Sequence, residues 1–181
     1  MKINQWHTEI DTVTQLFVDN FQSLTESELN WKPKADVWSV AQNINHLMVI
    51  NATYYPVIQK IRAGNYALPW HGHVGWLVRW FGGVILKSVG PDRNRKMKTF
   101  PIWEPSKSDL SGSILHEFKG HQEDLKQLMN SCADLIAANT VICSPANRSI
   151  VYTLETAFDI MVAHEQRHLQ QAIEINQARL I

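Results

Sequence analysis

The spacing of apolar residues constrains this chain more than any other feature. Ile3, Trp6, Ile10, Val13, Phe17 and Phe21 recur at three- and four-residue steps, which is one face of an α-helix. A second such stripe runs Val40, Ile44, Leu47, Met48, Tyr55, Ile58 and Ile61, until Gly64 ends it. It opens at Ser39, which with Gln42 makes a capping box after the loop-like LNWKPKADVW. Pro56 lies inside the stripe and predicts a kink. A third helix is expected from near Ser106, with Asp109 in its first turn and Leu110, Ile114, Phe118, His121, Leu125 and Leu128 as its seam. After a loop from Asn139 to Tyr152, a fourth runs from about Thr153 to near the end of the sequence. No run alternates convincingly with period two. Helices with one apolar stripe bury it against each other, so the expectation is an all-α protein, a four-helix bundle formed by one domain over residues 1–181.

The connection between the second and third long helices, residues 64 to 105, is long and rich in Gly, Pro, Trp and basic residues. A connection of this length is usually functional or partly structured. WLVRWFGGVILKSV within it is expected to form a short helix or two, and DRNRKMK a solvated basic turn.

Composition narrows the class of function. Lys plus Arg and Asp plus Glu both number 17, so the net charge is zero and nothing suggests a dedicated nucleic-acid or anionic-membrane binder. The most apolar stretch, Trp76 to Leu86, is too short to span a bilayer and contains Arg79. The first residues, MKINQWHTEIDTV, lack the apolar core of a signal peptide. Cys132 and Cys143 form no CxxC and are too few for a disulfide framework. They are expected to be reduced thiols in a cytoplasmic protein.

The fourth helix carries the sharpest chemical signal. Its seam reads Leu154, Ala157, Met161, His164, His168, Gln171, Ile175, so two histidines occupy positions where the pattern wants core side chains. Four residues apart, their rings project from one face a turn from each other and can chelate one ion. A buried polar group without a partner costs on the order of 1–3 kcal/mol, and a metal takes the lone pairs of both neutral rings. The local HEQRH also fits HExxH, the zinc-protease pattern in which Glu165 would be a general base. That pattern needs a further ligand; the 13 residues after His168 hold no histidine, and no strands are expected ahead of the helix. A third ligand is therefore expected upstream. His46, two turns beyond Ser39, is the best candidate, and His121 in the third seam is its rival as a ligand, a supporting donor or a structural residue. His71 and His73 form a loop HxH and are expected to be solvent-exposed; His7 and His116 give no signal.

Two stretches together resemble the DinB superfamily of helical-bundle metalloproteins, which includes bacillithiol-dependent transferases and proteins described as metal-dependent hydrolases. One is KPKADVWSVAQNINHL, Lys32 to Leu47; the other is HEQRHLQQ, His164 to Gln171. The resemblance implies a bundle over nearly the whole chain, metal ligands at His46, His164 and His168, and frequent homodimers. It makes Trp38 and Ser39 structural. The connection from His71 to Trp103 matches no particular branch, so the substrate stays open.

Three imidazoles leave at least one coordination position open, as in catalytic rather than structural sites. Zinc or nickel suits them best. The open position could activate water for hydrolysis, or hold the thiolate of a low-molecular-weight thiol for S-transfer. Glu165 points about 100° around the helix from His164, so its candidate catalytic role is to orient water, against a surface role or an ion pair with an arginine. The expected function is thus a metal-dependent transferase or hydrolase acting on a small molecule; the alternative is a non-catalytic, stress-associated metal-binding bundle.

Overall fold

A computed structural model describes residues 2–90, 99–106 and 109–181. The basic stretch Asp92 to Lys98 lies outside the described residues. The elements in order are α1 (Lys2–Phe21), α2 (Glu26–Asn30), α3 (Val40–Ala52), α4 (Tyr54–Arg62), α5 (Gly75–Val89), α6 (Ile114–Ser131), α7 (Ala133–Ala137), strands β1 (Val141–Ser144) and β2 (Asn147–Thr153), and α8 (Leu154–Arg179). Single 3₁₀ turns stand at Trp70–His73 and Pro101–Trp103. The protein is predominantly helical, as its periodicity requires.

Helices α1, α3, α6 and α8 form the bundle: α1 packs on α6 and α8, and α3 packs on the same two. All six stripe residues of α1 are buried. Two apolar clusters fill the interior. One gathers Trp6, Ile10, Tyr54, Leu125, Phe158 and Met161; the other gathers Phe17, Phe21, Ile44, Leu47, Phe118 and Leu169. Each long helix contributes to both. Gln122 of α6 and Glu165 and His168 of α8 are buried where one cluster gives way to the other, and Asn43, His46 and Asn51 of α3 are buried polar side chains as well.

Local chemistry explains the helix boundaries. Ser39 caps α3, its hydroxyl accepting from Gln42 N while the Gln42 side chain accepts from Ser39 N. The kink expected at Pro56 is a break, because α3 ends at Ala52 and α4 opens at Tyr54. In a continuous helix the Pro56 ring would collide with the Ala52 carbonyl, whereas in the first turn of α4 its missing N–H costs nothing. Gly64 ends α4 at φ +70°, with its N–H on Ile61 O and that of Asn65 on Lys60 O.

Three expectations are corrected. First, α6 opens at Ile114 and not near Ser106. The intervening segment is held out of the helix by α2: Asn30 bonds both the N–H and the carbonyl of Leu110, and Glu26 accepts from Gly112 N. Second, the seam of α6 is Ile114, Phe118, Gln122, Leu125 and Met129; His121 and Leu128 sit half-buried on its flank. Third, the expected loop from Asn139 to Tyr152 contains an antiparallel hairpin, β1 with β2, with Cys143 opposite Val151 and an irregularity before Ser144. The hairpin was hidden because its burial does not alternate; α5 packs against β2 and covers it.

The long connection is structured where it is described. WLVRWFGGVILKSV lies within one helix, α5, which packs on α8 and β2 outside the four-helix ring. The side chain of Thr156 lies 3.0 Å from where a Cβ on Gly82 would stand, so the glycine permits this close approach. No helix is long and apolar enough to cross a membrane among the described residues.

Candidate metal centre

The structure brings His46, His164 and His168 together, from α3 and α8, with one potential ligand atom of each within 4.8 Å of the others. His46 and His168 are buried and His164 is partly exposed. The Nε2 atoms of His164 and His168 lie 3.0 Å apart. In this arrangement one ring donates to the other.

The outer nitrogens of two of the rings are engaged. His46 Nδ1 donates to the backbone carbonyl of Trp103 at 2.6 Å, and His168 Nδ1 donates to Asn43 Oδ1 at 2.7 Å. Asn43 is itself oriented, because its amide donates to Ser39 O at 2.9 Å. These bonds fix the tautomer: with Nδ1 protonated, Nε2 carries the lone pair and faces the other histidines. Trp38 lies over the rings, 4.6 Å from His46 and 5.9 Å from His168 between centroids.

Electrostatics favour the neutral rings. Burial pushes His46 down to about 4, against the opposing pull of the Trp103 carbonyl. Burial also holds His164 well below the usual histidine range, reinforced by His46 and Arg167. At neutral pH these rings present lone pairs and not charge. By donor type, tautomer and spacing the three residues can hold a divalent metal ion; nitrogen donors bind zinc at about 2.0–2.1 Å, and two nitrogens 3.0 Å apart both reach such a point.

All three histidines line a cavity of about 770 Å³. Its walls are largely apolar, including Ile50, Ile85, Phe100, Trp103 and Ile160. Two tyrosines add a polar patch: Tyr54 and Tyr152 hydroxyls bond each other at 2.8 Å, and burial holds both phenols above their usual range, so they stay neutral. Arg167 also lines the cavity and donates to Ser88 O at 2.8 Å.

Glu165 is elsewhere. It is buried and not on the surface, with one carboxylate oxygen accepting from Asn51 at 2.9 Å and the other from Gln122 at 2.7 Å. It is not among the residues lining the cavity. Burial raises its pKa to about 7 even though both amides stabilise the charged form.

The rival ligand His121 is outside the group, half-buried, and burial lowers its pKa. His71 is also outside it and bonds Ser149 O at 3.1 Å. His7, His73 and His116 do not join it either. Sequence reasoning missed Asn43 and the Trp103 carbonyl. Asn43 carried one weak signal, its position one turn before His46 on the same helix. A backbone carbonyl at the end of a long connection carries none.

A family model for the DinB superfamily matches residues 9–172. Comparison with curated proteins and with solved structures gives no match. The matched span runs from α1 into the last turns of α8 and contains all three histidines; this chain belongs to the DinB superfamily.

Proposed function

We propose that His46, His164 and His168 hold one divalent metal ion, zinc or nickel, and that the protein uses it as a metal-dependent enzyme on a small, largely apolar substrate. One observation carries this reading: three inward-facing imidazoles at the wall of a cavity of about 770 Å³. A structural site is normally closed by four protein ligands, whereas three leave a position for a substrate. When bound, the ion supplies a Lewis acid that polarises an electrophile or favours the thiolate form of a thiol. The chain's own residues do the rest. Trp103 and Asn43 hold the two Nδ1 protons, so His46 and His168 meet the site with a single tautomer. The apolar wall excludes water from around the substrate, and the Tyr54–Tyr152 pair offers hydroxyl groups without charge.

Between the two chemistries, S-transfer from a low-molecular-weight thiol is favoured over hydrolysis. Hydrolysis wants a base to take the proton from water, and Glu165, the base that HExxH would assign, has both oxygens committed to Asn51 and Gln122. A thiol is far more acidic than water, with a free pKa of about 8.5 against about 15.7, so it can release its proton to solvent on binding without a base of the protein. In this reading Glu165 ties α8 to α3 and α6 and takes no part in the reaction.

The test is metal analysis of protein purified without chelator, followed by assay. Near-stoichiometric metal that disappears in His46→Ala and His168→Ala supports the site; metal content indifferent to both substitutions sinks it. Metal-dependent conjugation of chlorodinitrobenzene with glutathione, bacillithiol or coenzyme A supports S-transfer. Turnover of esters or amides with no thiol would reverse that choice, and bound metal with no turnover at all would make the protein a metal-binding bundle.

A further inference from the structure

The outer face of α5 is unlike the rest of the surface. Of the seven tryptophans in the chain, the exposed ones are Trp70, Trp76 and Trp80, at 76%, 63% and 56%. Trp76, Trp80 and Val84 follow one another at four-residue steps and form an exposed apolar stripe along the helix. Arg79 is exposed between Trp76 and Trp80, and Lys87 is exposed one turn beyond Val84. Arg148 is exposed on β2, the strand against which α5 packs. The chain contains no Asp or Glu from Val37 to Pro91. The acids at the start of α8, Glu155 and Asp159, are turned to α1, where Lys2 holds each at 2.7 Å. A protein of zero net charge therefore carries a flank of indole and cation, free of acid among the described residues of α5 and the preceding turn.

We infer that this face docks onto an anionic lipid surface, with α5 lying in the plane of the interface. Tryptophan favours the boundary between headgroups and acyl chains, where its ring is apolar and its N–H stays wet. Helices that lie in this plane present aromatic and aliphatic side chains to the lipid with Lys and Arg beside them. A second copy of the chain fits the face less well. Across a two-fold axis the same patch meets itself, so both copies bring Arg79 and Lys87 into one interface to which this face contributes no carboxylate. The zero net charge suggested no membrane partner, because an average over the chain hides the segregation. The inner face of the same helix lines the cavity with Ile85, Ser88 and Val89, so docking and the candidate site share one element. The inference does not depend on the metal.

The test is sedimentation of the full-length protein with vesicles of phosphatidylcholine alone and of mixed phosphatidylcholine and phosphatidylglycerol. Binding is expected to the anionic vesicles and to weaken as salt is added. Trp76→Ser with Trp80→Ser is expected to abolish it. A cation near an anionic bilayer contributes about 1 kcal/mol, so Arg79→Gln with Lys87→Gln is expected to weaken it roughly 30-fold. All four positions are exposed, and unchanged circular dichroism confirms that the variants fold. The inference is overturned by absence of binding to anionic vesicles, or by equal binding of the tryptophan variant. It is also overturned if light scattering shows a dimer that the tryptophan variant dissociates while vesicles leave the protein untouched; the face then belongs to a second copy.

Discussion

His164 and Glu165 are neighbours in sequence and stand in the same polar stretch of α8, yet the structure treats them in opposite ways. His164 meets His168 and His46, whose outer nitrogens are engaged by Asn43 and Trp103 while their inner nitrogens converge beside a cavity. Glu165, a hundred degrees around the helix, is closed off, with an amide on each oxygen. The first arrangement turns imidazole nitrogens toward one another at one point beside a cavity, which is what a metal ion needs. The second uses up its acceptors within the protein, which is what a tie between helices needs. Burial alone therefore does not distinguish a site from a support; the direction in which the polar atoms point, to a cavity or to another helix, does.

The contrast is broken most directly at the histidines. Replacing His168 by Ala removes one of the three proposed ligands, and metal affinity is expected to fall by at least about 100-fold with little change in fold. Metal titration monitored by calorimetry checks this, and an affinity within a few-fold of the wild type would erase the distinction between the two groups. Glu165→Ala should do the reverse. It leaves the Asn51 and Gln122 amides without an acceptor in the interior, at about 3 kcal/mol of stability, with metal affinity nearly unchanged. Urea unfolding measures the first quantity and titration the second.

A substitution that keeps the shape sharpens the same comparison. The Glu165 carboxyl has a folded-state pKa of about 7 against 4.5 as its ordinary value, so the native state holds its proton more tightly than the unfolded chain. The stability this confers is fully present below pH 4.5 and lost as pH rises through 7. Glu165→Gln has no proton to lose. Its stability relative to the wild type should rise across that window by about 3 kcal/mol and level off above it. Gln122 Oε1, buried without a partner among the described residues, would gain a donor from the new amide after a simple flip. A flat difference between the two proteins across that window would show that the carboxylate is already comfortable when charged. The smallest effect is expected at Asn43→Ala. It removes the acceptor of His168 Nδ1 and leaves all three proposed ligands in place, so metal affinity should drop by about tenfold, less than for His168→Ala. A loss as large as that of the ligand itself would mean that Asn43 does more than orient a ring.

Much of this molecule is legible in its sequence because the relevant information is local. The capping box of Ser39 and Gln42, the glycine that ends α4, and the full buried stripe of α1 follow from residues within a turn or two of one another. So does the pairing of His164 with His168, since a four-residue step on a helix leaves two side chains no choice but to meet. His46 was reachable as a candidate from its place two turns beyond the Ser39 cap, and the family resemblance of the adjoining residues implied it again. The failures occurred where a local pattern permits two answers. After Phe118 the seam of α6 could continue through His121 by a three-residue step or Gln122 by a four-residue step. Helical periodicity accepts both, and the buried carboxylate of Glu165, which takes the Gln122 amide, lies far away in sequence. The start of α6 was likewise decided from outside, by Asn30 and Glu26 of α2.

The sequence by itself thus determined that the chain is a helical bundle and that two histidines share a face of its last long helix, because both follow from the pitch of the α-helix. Only the tertiary structure decided that His46 comes near them, that Trp103 and Asn43 turn the lone pairs inward, and that Glu165 is spent on Asn51 and Gln122. Those outcomes depend on which helix lies beside which, and on hydrogen bonds between residues dozens of positions apart, whose free energy no local pattern contains.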